Sequence, residues 1–236
     1  MEIFFSIIEI LGVIAFSVSG AITAIDKETD LFGVVFLSVV TSFGGGILRD
    51  VMIGTGIPLI FENYLLIIVC VITSLAVFAM AAIFKQRFIE NEELVSNINN
   101  YFDAAGLGVF AVSGCKVCMD LGIENPVTII VMGMITCIGG GMIRDFSLRE
   151  IPFVLRKRVY AFAALLGSGV YWGLSVLDVN EIVSMMAGFA TVVIIRVCAT
   201  VFKWNFPKAI EYSKLKEKEA EAGGAEALAA IGEQTK

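Results

Sequence analysis

Two heptapeptides stand out by residue type and spacing: GGGILRD at 44–50 and GGGMIRD at 139–145. Each sets an arginine three residues and an aspartate four residues after a glycine triplet: Arg49–Asp50 and Arg144–Asp145. Adjacent opposite charges in apolar surroundings either pair to anchor a helix end or line a polar path, where carboxylates attract cations and arginines hold or gate them. Hydroxyls near the triplets, Ser19 and Ser113 with Ser17, Thr41, Ser42 and Thr136, either bond their own backbone or replace part of an ion's water shell. Lys116, in SGCKVCMD, is a lysine embedded in an apolar run. It either snorkels to an interface or acts as a pathway charge.

Other chemistries lack their residues. The chain has no histidine, which removes His-based triads, imidazole proton relays and His-ligated metals. Cys115 and Cys118 form a CxxC without a second pair, and the five cysteines all lie in apolar stretches, so they read as small buried side chains. No nucleophile–base pair, metal cluster or cofactor motif is present, so neither a metal, a cofactor nor an enzyme is expected. The net charge of −6 argues against a nucleic-acid binder.

These residues must be positioned by membrane helices. Of 236 residues, 58% are hydrophobic and 17% charged, and mean hydropathy is +0.87. Apolar runs near the length needed to cross a bilayer predict seven helices: about Ile3–Ile25, Leu31–Leu48, Leu65–Phe84, Ala104–Met119, Val127–Ile143, Val159–Leu177 and Ile182–Phe202. The first is too long for a signal sequence and reads as a retained span. The membrane domain covers about 1–206. From about Pro207 the chain turns to Glu, Lys and Ala, a charged cytoplasmic tail expected to be helical or disordered. With the N-terminus outside, Lys27, Lys85, Arg87, Arg144, Arg149, the run Arg156, Lys157 and Arg158, and the tail lysines all fall inside, against Arg49 outside. An N-out, C-in orientation in the cell membrane follows, with lipid head groups beside the basic run.

The chain also repeats itself. EILGVIAFSVSG at 9–20 aligns with DAAGLGVFAVSG at 103–114, and the two GGG-x-x-RD segments and two Ile-Pro pairs (57–58 and 151–152) follow in the same order at nearly constant offset. Spans one to three (about 3–84) therefore repeat as spans four to six (about 103–177), with the seventh (about 182–202) added. An odd number of spans per unit inverts the second copy, an architecture common in transporters. Before the triplets, the second and fifth helices reach only about 20 Å at 1.5 Å per residue. Three glycines predict a kink or break there, and a pair of Gly-interrupted helices points to a transport path; close helix packing is the competing use of the same glycines. Glu9 and Asp103 open the two copies, and Arg196 in the seventh span is a candidate partner for Glu9.

At these residues the chain resembles the prokaryotic relatives of the trimeric intracellular cation (TRIC) channels, a group also described as glycine-transporter-like. The resemblance covers about residues 5–203. It implies a homotrimer with one pore per protomer, conducting monovalent cations, mainly K⁺, between the two repeats. It places Gly44, Gly45, Gly46, Arg49 and Asp50, and Gly139, Gly140, Gly141, Arg144 and Asp145, along that pore, with Ser19 and Ser113 nearby. Animal members carry a lysine-bearing motif after the fifth-helix glycines, where this chain has Arg144–Asp145. A K⁺ channel is the leading expectation, a secondary transporter of a small zwitterion such as glycine the alternative, and a packing protein without transport the third.

Overall fold

The computed structural model describes residues 2–156, 159–202 and 204. The tail from Pro207, with Lys157, Arg158 and the Arg156 side chain, lies outside the described residues. Every regular element among the described residues is helical: α1 (Glu2–Asp26), α2 (Leu31–Ile53), a 3₁₀ turn (Leu59–Glu62), α3 (Tyr64–Ile83), α4 (Lys85–Glu90), α5 (Glu92–Asp120), α6 (Pro126–Ser147), α7 (Phe153–Arg156), α8 (Val159–Val176) and α9 (Glu181–Val201). Helices close all backbone hydrogen bonds within one segment, as a bilayer demands. Seven of them (α1, α2, α3, α5, α6, α8 and α9) are long and apolar enough to cross a membrane. Outward-facing Leu65, Ile68, Ile72 and Ile83 of α3 are exposed, as lipid-facing side chains are.

The duplication is visible in the end chemistry. Asp30 caps α2 by accepting from the Gly33 amide, and Asn125 caps α6 by accepting from the Thr128 amide. Glu28 and Gly122 follow α1 and α5 in the left-handed region, and Gly54 and Arg149 do the same after α2 and α6. In each case a later amide reaches back to the last turn, Thr29 to Ala24, Ile123 to Cys118, Thr55 to Asp50 and Glu150 to Asp145.

Inversion shows in the contacts. Glu9, early in α1, meets Ser113, late in α5, and Asn99, early in α5, meets Thr23, late in α1; α1 and α5 therefore run antiparallel. The pair α1–α2, flanked by α3, mirrors α5–α6, flanked by α8; α9 packs on α5 and α8.

Two expectations are corrected. The fourth span begins at Glu92, not near Ala104. Residues 92–102 are too polar to register as apolar span, yet they continue the same hydrogen-bonded helix. Of the kink or break expected at the glycine triplets, the break does not occur: α2 and α6 are helical from end to end through Gly44–Gly46 and Gly139–Gly141. The glycines serve close approach. A methyl group on Gly45 would overlap the Thr136 carbonyl, and one on Gly140 would overlap the Thr41 carbonyl. The antiparallel helices thus cross with their backbones in contact, in the most extensive helix pair of the bundle.

Gly46 and Gly141 are different. Nothing beyond the local helix lies closer than 3.7 Å to a methyl group placed on either. Gly45→Ala and Gly140→Ala should lower the apparent melting temperature in detergent, at a cost of about 1–3 kcal/mol or more for overpacking. Gly46→Ala and Gly141→Ala should hold or raise it, since alanine is favoured in a helix by about 1 kcal/mol. Equal losses at all four would show that close approach is not what the triplets provide.

Candidate functional site

The four central helices enclose two cavities related by the repeat. One, of about 210 Å³, lies toward the N-terminal half of α1 and is lined by Phe5 and Glu9 of α1, Arg49 and Asp50 of α2, and Ser113 and Val117 of α5. The other, of about 310 Å³, lies toward the opposite end and is lined by the matching positions: Asn99 and Asp103 of α5, Arg144 and Asp145 of α6, and Ser19 and Thr23 of α1. The positions match at the repeat offset of 94 to 95 residues, and each i, i+4 pair lies on one helix face.

Between them along α1 and α5 stand Phe16 and Phe110, also repeat partners. Their rings stack with centroids 5.2 Å apart and planes 19° from parallel. Glycine makes room for each ring: a methyl group on Gly106 would overlap Phe16, and one on Gly12 would crowd Val109 and Phe110. The Gly45–Gly140 crossing lies beside the same midpoint. Gly46 lines the smaller cavity with Ser42 and Thr136.

The two Arg–Asp dyads are near-copies. Arg49 donates through Nε (2.8 Å) and pairs through Nη2 (2.7 Å) with Asp50 Oδ1. Asp50 Oδ2 accepts from the Leu59 amide at 2.9 Å. Arg144 engages Asp145 Oδ1 through Nε and Nη2, both at 2.8 Å, and Asp145 Oδ2 accepts from the Phe153 amide at 2.8 Å. All four side chains are buried. Each dyad therefore fastens the segment after its helix to the end of that helix, and both carboxylate oxygens are spoken for. Arg144 Nη1 additionally donates to Ser19 Oγ at 3.3 Å across the cavity.

The hydroxyls divide. Thr41 and Thr136 donate to Leu37 and Met132 carbonyls of their own helices, and Ser17 to the Cys70 carbonyl, in structural roles. Ser19 and Ser113 face the cavities, Ser113 donating to Glu9 Oε1 at 3.0 Å.

Lys116 is not among the lining residues of either cavity. Its ammonium pairs with Glu181 Oε1 at 2.6 Å and Asp120 at 3.2 Å and lies 5.5 Å from the Phe5 ring centre, tying α5 to the start of α9. Arg196 is likewise not the partner of Glu9. It is fully buried against Asp103, with Nη2 3.7 Å from Asp103 Oδ2 and its guanidinium 4.6 Å from the Tyr160 ring centre. Tyr160 also donates to Asp103 at 3.3 Å. Sequence reasoning noted Glu9 and Asp103 without assigning them to a site, and it missed Asn99 and Thr23. The legible signal was the offset of 94 residues that pairs Glu9 with Asp103 and Ser19 with Ser113.

The family model described as glycine transporter matches residues 6–82 and again residues 100–175, one match for each repeat. The chain belongs to that family. Among its relatives, the UPF0126 membrane protein YvgT of Bacillus subtilis is 33% identical over 202 residues, covering 85% of this chain and 94% of the relative. The UPF0126 inner membrane protein YadS of Escherichia coli K12 is 32% identical over 202 residues, covering 84% and 91%. Among solved structures, a chain solved for the structural basis of conductance through TRIC cation channels shares 36% identity and a TM-score of 0.75, covering 88% of this chain and 98% of that one. A prokaryotic TRIC channel crystallised in 0.5 M KCl shares 31% identity and a TM-score of 0.77, covering 87% and 100%. The TRIC orthologue of Rhodobacter sphaeroides shares 31% identity and a TM-score of 0.76, covering 85% and 99%. This glycine-transporter family member thus has the TRIC fold and is a multi-pass membrane protein.

The dyads give a stability test. Arg144→Met strands a buried carboxylate and should cost about 3–5 kcal/mol. Adding Asp145→Asn removes the stranded charge while keeping an acceptor for the Phe153 amide. The double variant should therefore unfold at a higher temperature in detergent than Arg144→Met alone. Additive losses would show that the two side chains do not act as a pair.

Proposed function

We propose that this protein is a cation channel conducting monovalent ions, K⁺ foremost, through a pore within each protomer between the inverted repeats. The observation that carries this reading is the alignment of two cavities at opposite ends of α1 and α5, each bearing a carboxylate, on either side of the Phe16–Phe110 stack. An ion leaving one cavity has the hydroxyls and carboxylate of the next within the same helix bundle. The likeness to solved TRIC cation channels supports the same reading, and with it a homotrimer. The Lys and Arg distribution supports N-out, C-in insertion in a bacterial inner membrane, which opens the Glu9 cavity outward and the Asp103 cavity to the cytoplasm.

In this reading the residues share the work unequally. Gly45 and Gly140, with Gly44 and Gly139 against the facing glycine backbone, set the distance between α2 and α6, while Gly46 lines the Glu9 cavity and Gly141 is its repeat partner. The dyads Arg49–Asp50 and Arg144–Asp145 hold the vestibule walls rigid. Glu9, Asp103, Ser19 and Ser113 meet the ion. Phe16 and Phe110 form the closed constriction, a hydrophobic gate of the kind that excludes water. Lys116 ties α5 to α9 and stays out of the path, since two carboxylates already hold its ammonium.

A second reading, secondary transport of glycine or a similar zwitterion, is favoured by the family's description and by the fitness of inverted repeats for alternating access. Purified protein in a planar bilayer under a KCl gradient separates the two. The channel gives discrete current steps reversing near the K⁺ potential. Silent bilayers with saturable uptake of labelled glycine into liposomes would replace it. Phe110→Ala, which removes one half of the stack from a half-buried position, should raise resting K⁺ flux into liposomes several-fold. Unchanged flux would take the aromatic pair out of the pathway.

A further inference from the structure

The inverted repeat lets each vestibule serve as a control for the other. At matching repeat positions both hold a carboxylate ahead of an Arg–Asp dyad, Glu9 with Arg49–Asp50 and Asp103 with Arg144–Asp145, and the Asp103 cavity is lined in addition by Asp26, Lys27 and Glu150. The surroundings of that carboxylate then diverge. Asp103 accepts from the Tyr160 hydroxyl at 3.3 Å and faces the Arg196 guanidinium at 3.7 Å. Arg196 is held over Tyr160 and lies 5.8 Å from the Phe153 ring centre. In the other repeat, the positions of Phe153 and Tyr160 are Leu59 and Leu66, 94 residues earlier. Neither leucine side chain can donate to a carboxylate or seat a guanidinium. Arg196 itself has no counterpart, because α9 stands outside the duplication. Among the described residues no lysine or arginine lies within 4 Å of the Glu9 carboxylate. Arg49, which shares its cavity, is bonded to Asp50.

Among the described residues, charges at the mouths do not restore the balance. Toward the Asp103 side, Lys27 pairs with Glu150 at 2.9 Å and Asp26 is exposed. Toward the Glu9 side, Lys116 is shared between Asp120 and Glu181. Asp26, Lys27 and Asp120 are exposed and meet bulk salt, which screens them over about 10 Å at 0.1 M, while Lys116, Glu150 and Glu181 are held in their ion pairs. Glu9 is half-buried beside the constriction and is screened less.

Resting on the channel reading, we propose that α9 makes conduction directional: Arg196 neutralises the Asp103 vestibule, Glu9 leaves the opposite vestibule anionic, and cations pass more readily from the Glu9 side. A fixed negative charge at one entrance raises the local cation concentration there and speeds entry. A unit charge about 4 Å from an ion is worth about 1 kcal/mol in water, a factor of about five.

The test is single-channel recording of the full chain in symmetric KCl at low and high concentration. In low salt the wild type should pass about two to five times more current at one polarity than at the other, and the ratio should fall toward one in 1 M KCl. Glu9→Gln, which keeps an acceptor for Ser113, should carry equal currents at both polarities. Arg196→Gln should shrink the ratio by raising current from the Asp103 side, and Arg196→Lys should keep it. If Arg196→Gln does not insert, Glu9→Gln still decides. Discrete steps with equal currents in wild type, or undiminished rectification in Glu9→Gln, overturn the directional role and leave the channel standing. Absence of discrete steps removes both.

Discussion

The backbone contact between Gly45 and Gly140 is the constraint on which the other contacts depend. In lipid, helices gain little by hiding apolar surface from one another, so association relies on van der Waals contact at short range. Here each helix presents a bare backbone to a carbonyl of the other, Gly45 to Thr136 and Gly140 to Thr41. Because the contact is reciprocal, it sits at the pseudo-two-fold centre of the repeat. Its distance fixes how closely the two halves come together, and hence whether Phe16 and Phe110 stack or stand apart.

A second layer of constraint comes from the dyads. A buried ion pair between sequence neighbours does little to draw distant parts together, and its net contribution to stability is small. Its value is geometric. Asp50 and Asp145 each spend one oxygen on arginine and the other on an amide several residues further on. The chain after each helix is thereby turned back over the cavity mouth. The same device at both ends gives two vestibules of the same build from one coded motif.

Much of this was readable in the residues. Seven spans follow from hydropathy, and the inversion follows from an odd-numbered repeat. What stayed hidden depends on partners far away in sequence. A glycine triplet predicts a break or a close crossing equally well. The choice is decided by Thr136 and Thr41 lying opposite, and no local pattern announces them. The start of α5 was missed because Glu92–Phe102 is polar enough to fall below span hydropathy, yet a helix already anchored in the bundle extends through it at little further cost. Arg196, by sequence only a candidate partner for Glu9, pairs with Asp103 instead; the repeat makes the two acids equivalent by position. Only the packing of α9 on α5 and α8 distinguishes them.

That last point bears on why the fold carries a seventh helix. A perfect inverted repeat would present the same field to an ion from either side of the membrane. Symmetric parts of this chain, the glycine crossing, the aromatic stack and the dyads, are those any path through the bundle needs. Three departures surround one carboxylate: tyrosine for leucine, phenylalanine for leucine, and an arginine from outside the repeat. Burying an arginine in a membrane domain is costly unless it is paired and stacked, and the two ring substitutions serve to seat this one. A side chain that demands so much local accommodation, placed behind only one of two equivalent acids, makes the two ends of the path electrically different. In the proposed channel the duplicated core builds the path, and the unduplicated helix sets its polarity.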